Sequence, residues 1–445
     1  MQTAAEPSSG YLAREGRTRW FQDARYGMFI HWGAYAVSGR GEWFKSGERL
    51  TNEEYQRYVD AFDPVRCDMR QWAKLARESG MKYAVMTAKH HDGFCLFDSA
   101  VTDYSTARGT AKRDFVREFV EAFRGEGLKV GLYYSLLDWH HPDYPKTDDQ
   151  HHPLRGRPDA QSPEQNYDRY VAYLHEQVRE LVTNYGKLDI MWFDFSYRHM
   201  KGEAWRAEEL VRMVRSLQPD ILVDNRLGGD MFKAEPDSFA GDFHGPEMCI
   251  PRDPLVNEQG LPVPWEVCTT VSNSWGYNGR DTDWKSAEFI IRVLANCVSK
   301  GGNLLLNVGP TAYGEIDERA ARLLREVGDW LRLNGDSIYG SGQAEYEKPE
   351  WGRFTQKGNI LYAHVTEQVL GHISLKGFAG KIKRAWLLSD GQEVLLSEFW
   401  NKEVDTFDAP DDIFMNFKLP VHQTYPLPDS RDTVVALELY AQDMG

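Results

Sequence analysis

Short apolar runs alternate with longer stretches whose apolar residues recur every three or four positions. The short runs predict strands at 26–31, 83–87, 130–135, 189–194, 221–225, 265–270 and 303–308. Runs of this length bounded by turn residues suit buried strands. The longer stretches predict helices at 53–62, 69–79, 113–125, 167–185, 205–218, 286–299 and 316–334. Val116, Phe119, Val120 and Phe123 show the spacing, which gathers them on one helix face. Gly80, Gly127 and Gly186 follow helices, where a C-terminal glycine belongs.

Alternation of this kind means a parallel sheet with crossover helices. Seven or more such units over about 330 residues favour a closed barrel of the (β/α)8 type. The rival is a doubly wound open sheet, but no GxGxxG follows the first strand. After Gly340 the helical period stops. Alternating runs at 360–365, 383–388 and 434–440, punctuated by Pro and Gly, predict an antiparallel β-sandwich. The expected fold class is therefore α/β, an irregular (β/α)8-like barrel over 1–340 and a β-sandwich over 341–445. Residues 140–165 are rich in His, Pro and Asp and predict a long loop over the barrel mouth.

Composition narrows the function. With 42% hydrophobic residues among 445, a packed globular protein is expected. No apolar run reaches the ~18–20 residues that span a bilayer, so no membrane partner is expected. Residues 1–10 lack the basic-then-apolar pattern of a signal peptide. The expected location is cytoplasmic, or periplasmic or secreted if such a peptide was removed. The net charge of -15 argues against a nucleic-acid partner, and it also serves solubility alone. The cysteines, Cys67, Cys95, Cys249, Cys268 and Cys297, are scattered without a CxxC pair, so most of them read as buried thiols. Much of the 14 Trp, 22 Tyr and 21 Phe is expected in the core, and some suits a sugar site, since ring faces stack on the C–H faces of sugars.

Barrel chemistry sits where strands end, and the predicted strand ends are polar and aromatic here. They read His31-Trp32-Gly33, Lys89-His90-His91-Asp92, Tyr133-Tyr134-Ser135, Trp192-Phe193-Asp194, Asn225-Arg226, Trp265-Glu266 and Trp275-Gly276-Tyr277. Each alone has a structural reading. His31 suits a satisfied core histidine, Trp43 and Trp192 suit core, and Asp194 suits a helix cap. The pair His90-His91 suggests a metal, but adjacent strand residues face opposite sides and no HExxH accompanies them. Their concentration at successive strand ends is what points to a site.

Together the segments Tyr26-Gly27-Met28-Phe29-Ile30-His31-Trp32-Gly33, Gly41-Glu42-Trp43, Lys89-His90-His91-Asp92-Gly93-Phe94, Trp192-Phe193-Asp194, Trp265-Glu266, Ser274-Trp275-Gly276-Tyr277 and Gly301–Pro310 resemble the α-L-fucosidases of glycoside hydrolase family 29. The resemblance runs from Trp20 to about Tyr339. It implies a barrel followed by a β-sandwich, no metal or other cofactor, and a retaining, double-displacement hydrolysis of fucosylated glycans. Asp194 would be the nucleophile. The acid/base falls on Glu247 by the pattern of many relatives, and on Glu266 by that of others, with Asp242 a third choice. The resemblance assigns His31, Glu42, Trp43, His90, His91 and Tyr133 to the sugar hydroxyls and Trp275 to the methyl group. Trp192 joins the site, and Arg226 would hold a carboxylate ionised. Phe193 and Tyr313 depart from the usual pattern and are expected to alter the rim. Rival readings are an inactive glycan-binding protein on this scaffold and a retaining barrel glycosidase for another sugar. Linkage preference and oligomeric state stay open.

Overall fold

Strand β1 (Tyr26–Ile30) sits near the middle of a seven-stranded sheet with β2 (Tyr83–Lys89), β3 (Lys129–Ser135), β4 (Ile190–Asp194), β5 (Leu222–Val223), β6 (Glu266–Thr270) and β7 (Asn303–Val308). The order is β5-β4-β3-β2-β1-β7-β6, and every pairing is parallel. The computed structural model describes residues 9–160, 162–228, 241–369, 373–398, 411–417 and 427–440. The polar start, read above for a signal peptide, lies outside the described residues as far as residue 8.

The sheet's edges, β5 and β6, are bridged by the segment Phe243–Glu247. It makes single-residue parallel pairings: Asp224 with Phe243, His244 with Trp265, and Glu247 with Cys268. Backbone bonds from His244 N to Pro264 O (2.9 Å) and from Met248 N to Cys268 O (2.9 Å) hold it there. Pro246 has no N–H to give a ladder, so the eighth position is filled by a strand-like strip. The result is an irregular (β/α)8-like barrel, as expected.

Nine helices are described: α1 (Ser9–Ala24), α2 (Phe44–Gly47), α3 (Asn52–Asp60), α4 (Met69–Glu78), α5 (Phe115–Gly125), α6 (Tyr167–Asn184), α7 (Ala207–Leu217), α8 (Ala287–Val298) and α9 (Glu318–Asn334). Side-chain caps start most of them: Thr51 closes a capping box on α3, and Asp68, Asp114, Asn166, Ser286 and Asp317 cap α4, α5, α6, α8 and α9. Gly80 leaves α4 at φ 82°, a left-handed exit that costs glycine little.

Strand parity splits the core in two. Met28, Ile30, Met191, Phe193, Leu304 and Leu306 face outward into the large core that includes the helices. Phe29, Tyr83, Val85, Tyr133, Ile190, Trp192, Cys268 and Leu305 face inward, where they meet Phe21 and Ala24 of α1. Helix α1, which the periodicity did not predict, plugs the barrel where its strands begin. The Phe21 ring lies 5.6 Å from Tyr83 and 4.7 Å from Phe243, and Asn303 Nδ2 donates to Phe21 O at 2.7 Å. Burying a ring this fully stabilises by roughly 1.5–3 kcal/mol. Phe193, expected to alter the rim, is instead sealed in the outer core. Tyr313 is exposed and lies under Arg66 at 5.3 Å.

Beyond Gly340 come β8 (Gly342–Gln343), β9 (Gly352–Lys357), β10 (Ile360–Val365), β11 (Ile373–Leu375), β12 (Ile382–Leu387), β13 (Leu395–Glu398), β14 (Ile413–Asn416) and β15 (Thr433–Leu439). They make a five-stranded sheet, β12-β15-β10-β9-β8, and a three-stranded sheet, β11-β14-β13, both antiparallel. Leu361, Ala363, Val435 and Leu437 pack toward Ile373, Leu375 and Met415 between the sheets. The alternate residues Tyr362, Val434 and Ala436 join the barrel's core. Arg292 of α8 ties the two parts by donating to Thr366 O (2.8 Å) and Arg431 O (3.1 Å). No described helix is long and apolar enough to cross a membrane.

Candidate active site

A small cavity opens where the barrel strands end, lined by Phe29, His31, Trp43, His90, His91, Tyr133, Trp192, Asp194, Phe195, Arg226, Glu247, Cys268 and Trp275. Asp194 is the last residue of β4 and points inward by the same parity as Trp192. Donors converge on its carboxylate. Tyr133 OH donates to Oδ2 at 2.7 Å, Arg226 Nη1 to Oδ1 at 2.6 Å, and Phe195 N to Oδ1 at 2.9 Å. Phe195 reaches that pose at φ 75°, a left-handed conformation unusual for a bulky residue, so this turn stores strain beside the carboxylate.

Arg226 joins this carboxylate to a second one. Its Nη1 also donates to Glu247 Oε2 at 3.1 Å, and its Nη2 to Gly245 O at 3.0 Å. Its guanidinium lies 4.4 Å over the Trp192 ring, and at 1% exposure it has little else to pair with. Sharing one nitrogen keeps the two carboxylate oxygens within about 6 Å, compatible with the ~5–5.5 Å of a retaining pair. Burial and then the neighbouring Asp194 charge push the Glu247 carboxyl up, against the opposing pull of Arg226. The push favours the protonated form, the one that can give a proton.

Three histidines present neutral imidazoles, because burial pushes each down, His31 to about 3. Their hydrogen bonds fix which nitrogen is bare. Asn307 Nδ2 donates to Trp275 O at 2.7 Å, so its Oδ1 must accept from His31 Nδ1 at 2.7 Å. Ser135 Oγ donates to Leu137 O at 2.9 Å, so His91 Nδ1 donates to Ser135 Oγ at 2.6 Å. In both rings Nε2 is then an acceptor. That of His91 lies 4.0 Å from Asp194 Oδ2. Buried His90 Nδ1 has no protein partner. Donor and acceptor nitrogens of this kind suit hydroxyl groups. Trp275 and Phe29, 6.1 Å apart, give an apolar wall.

Other expected site residues stand outside the cavity. Glu42 is buried and accepts from Gly276 N at 2.7 Å, so it holds the turn that carries Trp275. Burial pushes its carboxyl up to about 7. Glu266 opens β6 rather than ending it, so it sits a layer below, inside the barrel. Tyr83 OH donates to it, and Trp192 Nε1 lies at 3.4 Å. Asp242 accepts from Arg17 Nη2 at 2.8 Å, Arg215 Nη2 at 2.7 Å and Val223 N at 2.9 Å, which leaves it braced in the wall. Neither Glu266 nor Asp242 lines the cavity.

Sequence reasoning missed Phe29, Phe195 and Cys268 in the wall, and Asn307 and Ser135 behind the histidines. Parity carried a signal for Asn307 and Cys268, since both share the inward register of Leu305 and Glu266. Phe195 carried none, because its pose depends on the turn after β4. Among the described residues no group of three or more His, Cys, Asp or Glu is disposed to hold a metal ion.

The comparisons with known proteins agree on one family. A family model described as Alpha-L-fucosidase matches residues 2–336. The plasma α-L-fucosidase of Rattus norvegicus is 31% identical over 359 residues, 75% of this chain and 73% of the relative. The structure of α-L-fucosidase isoenzyme 1 from Paenibacillus thiaminolyticus superposes with TM-score 0.91 at 53% identity, covering 96% of this chain and 100% of that one. A GH29 α-L-fucosidase from Bacteroides thetaiotaomicron matches with TM-score 0.79 at 27% identity, over 99% of this chain and 98% of that one. That protein was solved as a covalent intermediate trapped with 2-fluoro-fucosyl fluoride, using a glutamate-to-glutamine variant.

Proposed function

The chain belongs to the α-L-fucosidase family, and from that premise we propose that it is a retaining exo-α-L-fucosidase acting on fucosylated glycans, with Asp194 as nucleophile and Glu247 as acid/base. The observation that carries the assignment is the guanidinium shared between the two carboxylates, Nη1 of Arg226 at 2.6 Å from Asp194 and 3.1 Å from Glu247. In the first step an Asp194 oxygen bonds the anomeric carbon. The glycosidic bond breaks, and the Glu247 proton passes to the departing oxygen. In the second step Glu247, now a carboxylate, takes a proton from water. The water oxygen attacks the same carbon and frees Asp194. Two inversions give retention.

The electrostatics suit this exchange of roles. Ester formation removes the Asp194 charge, one of the causes that push the Glu247 carboxyl up. Arg226 then favours the Glu247 carboxylate, the form that must act as base. His31, His90 and His91 meet the ring hydroxyls, and Phe29 with Trp275 receives the methyl group. A pocket of this shape rejects an added hydroxyl only by ~10²-fold, so the hydroxyl contacts carry most of the selectivity.

The test is covalent capture. Incubation with 2-fluoro-fucosyl fluoride followed by peptide mass mapping is expected to add one 2-fluoro-fucosyl group at Asp194. A label on another residue overturns the nucleophile assignment. Failure to turn over an aryl α-L-fucoside, or faster turnover of an aryl α-galactoside, overturns the activity.

A further inference from the structure

One buried amide behind the catalytic cavity serves two of its walls at once. Asn307 lies inside β7, level with Phe29 of β1 and Thr270 of β6, and is fully buried. A primary amide so placed needs protein partners for its donor and its acceptor. The donor goes to Trp275 O at 2.7 Å, and the acceptor faces His31 Nδ1 at 2.7 Å. Turning the amide over would set its oxygen against the Trp275 carbonyl oxygen, so its orientation is fixed.

The joint is tight on both sides. His31 N donates to Val308 O at 3.1 Å, so the backbone of His31 is held to the residue after Asn307. A side chain added at Gly309 would meet Trp275 O and Gly276 C at 2.7 Å, so the chain just beyond β7 lies directly against the Trp275 turn. Glu42 holds the same turn through Gly276 N. The His31 and Trp275 rings, both in the cavity wall, lie 5.1 Å apart.

The consequence falls on the other ring nitrogen. Burial keeps His31 neutral, and Nδ1 carries the hydrogen that Asn307 accepts. Nε2 is left with a bare lone pair. Such a nitrogen bonds a hydroxyl that gives its proton and gains nothing from a group that can only accept. We propose that Asn307 is a positioning residue that sets substrate specificity: by fixing His31 as an acceptor beside the Trp275 wall, it makes the site require a proton-donating hydroxyl on the sugar at that point. The proposal rests on the fucosidase reading for the identity of the sugar, and the experiment separates the two.

The probes are aryl α-L-fucosides whose 3- or 4-hydroxyl is replaced by hydrogen or by fluorine, which accepts but cannot donate. Asn307→Leu removes both amide hydrogen bonds. Nδ1 then has no acceptor, so the ring hydrogen moves to Nε2, which can donate to fluorine. At the position that meets His31, the fluoro-to-deoxy ratio of kcat/KM is expected to rise by about 3-fold or more over the parent's. The inductive slowing by fluorine is common to both proteins and cancels in the comparison. Asn307→Val, whose side chain suits a strand, is an independent second variant.

The second measurement needs no substrate. NMR of isotopically labelled histidine nitrogens, with the His31 signals assigned by their loss in His31→Gln, reads the tautomer directly. The parent is expected to show a protonated Nδ1 and a bare Nε2, and the Asn307 variants the reverse. An asparagine that merely supports the fold would leave the tautomer alone. Failure of the parent to turn over the unmodified aryl fucoside would strike the fucosidase reading and leave this measurement standing. A protonated Nε2 in the parent, an unchanged tautomer in the variants, or the same fluoro-to-deoxy ratio in parent and variants at both positions overturns the proposal.

Discussion

Acidic side chains occupy two levels of the same barrel, with opposite surroundings. At the upper level Asp194 and Glu247 face a cavity and share a guanidinium. At the lower level Glu266 and Asp224 are walled in, above the rings of α1. Glu266 is held by Tyr83 and Trp192, and Asp224 accepts from Phe193 N at 3.0 Å. Burial pushes both carboxyls up, Glu266 to about 8. Position along a strand, more than residue type, decides which acid can meet a substrate. The upper pair has a route to solvent and a cation within reach. Burial biases the lower pair toward the neutral form, and it holds Trp192 and the end of β4.

The sharpest way to break this contrast is to remove the charge of Asp194 while keeping its shape. Asp194→Asn still offers an oxygen to Tyr133 and Arg226, so it should fold. Its kcat on an aryl α-L-fucoside is expected to drop by about 10⁴-fold or more. If comparable loss came instead from a lower-level isostere such as Asp224→Asn, with Asp194→Asn active, the two levels would have to exchange roles.

The second test pits Glu247 against Glu266. Glu247→Ala should lose about 10²–10⁴-fold on a substrate with a poor leaving group and much less on an aryl fucoside. Added azide should restore turnover and give the α-fucosyl azide, since azide attacks the fucosyl-enzyme without a general base. The fall in kcat/KM at high pH should vanish with the residue. That limb reports loss of the Glu247 proton as pH rises through its raised pKa. Azide rescue of Glu266→Ala, absent from Glu247→Ala, would reverse the assignment.

Much of this arrangement is written in the pattern of apolar positions. β7 and β10 begin and end where their runs do, and β1 falls short by one residue. The plug helix escaped because α1 carries Arg14, Glu15, Arg17, Arg19 and Gln22 among few apolar residues. Its few apolar residues find a partner only once the barrel is there to receive Phe21 and Ala24. The strip at Phe243–Glu247 escaped too, since Gly245 and Pro246 break any run and its pairings are single. Glu266 was misplaced for an avoidable reason. The run 265–270 already puts it at a strand's start, and barrel chemistry lies at strand ends. What remained illegible was contact across the barrel, such as Arg226 reaching both carboxylates, because no local pattern encodes it.

The smallest effect probes whether the lower level is truly neutral. Glu266 has a folded pKa of about 8, above the ~4.3 of an exposed glutamate. The folded state therefore holds the proton more tightly, and this favours folding at low pH. The benefit is complete below about pH 4, shrinks as pH rises, and is gone above about pH 8. Glu266→Gln has no proton to lose, so its stability relative to the parent should rise across that window, by on the order of a few kcal/mol. Because the parent carboxyl is already protonated at pH 6, activity there should stay within about tenfold of the parent. Denaturant unfolding of both proteins at pH 5, 6.5 and 8 reads the difference. Parallel stability curves would mean that Glu266 is charged in the folded barrel. The lower level would then be a second set of ionised acids, and the division of labour between the levels would fail.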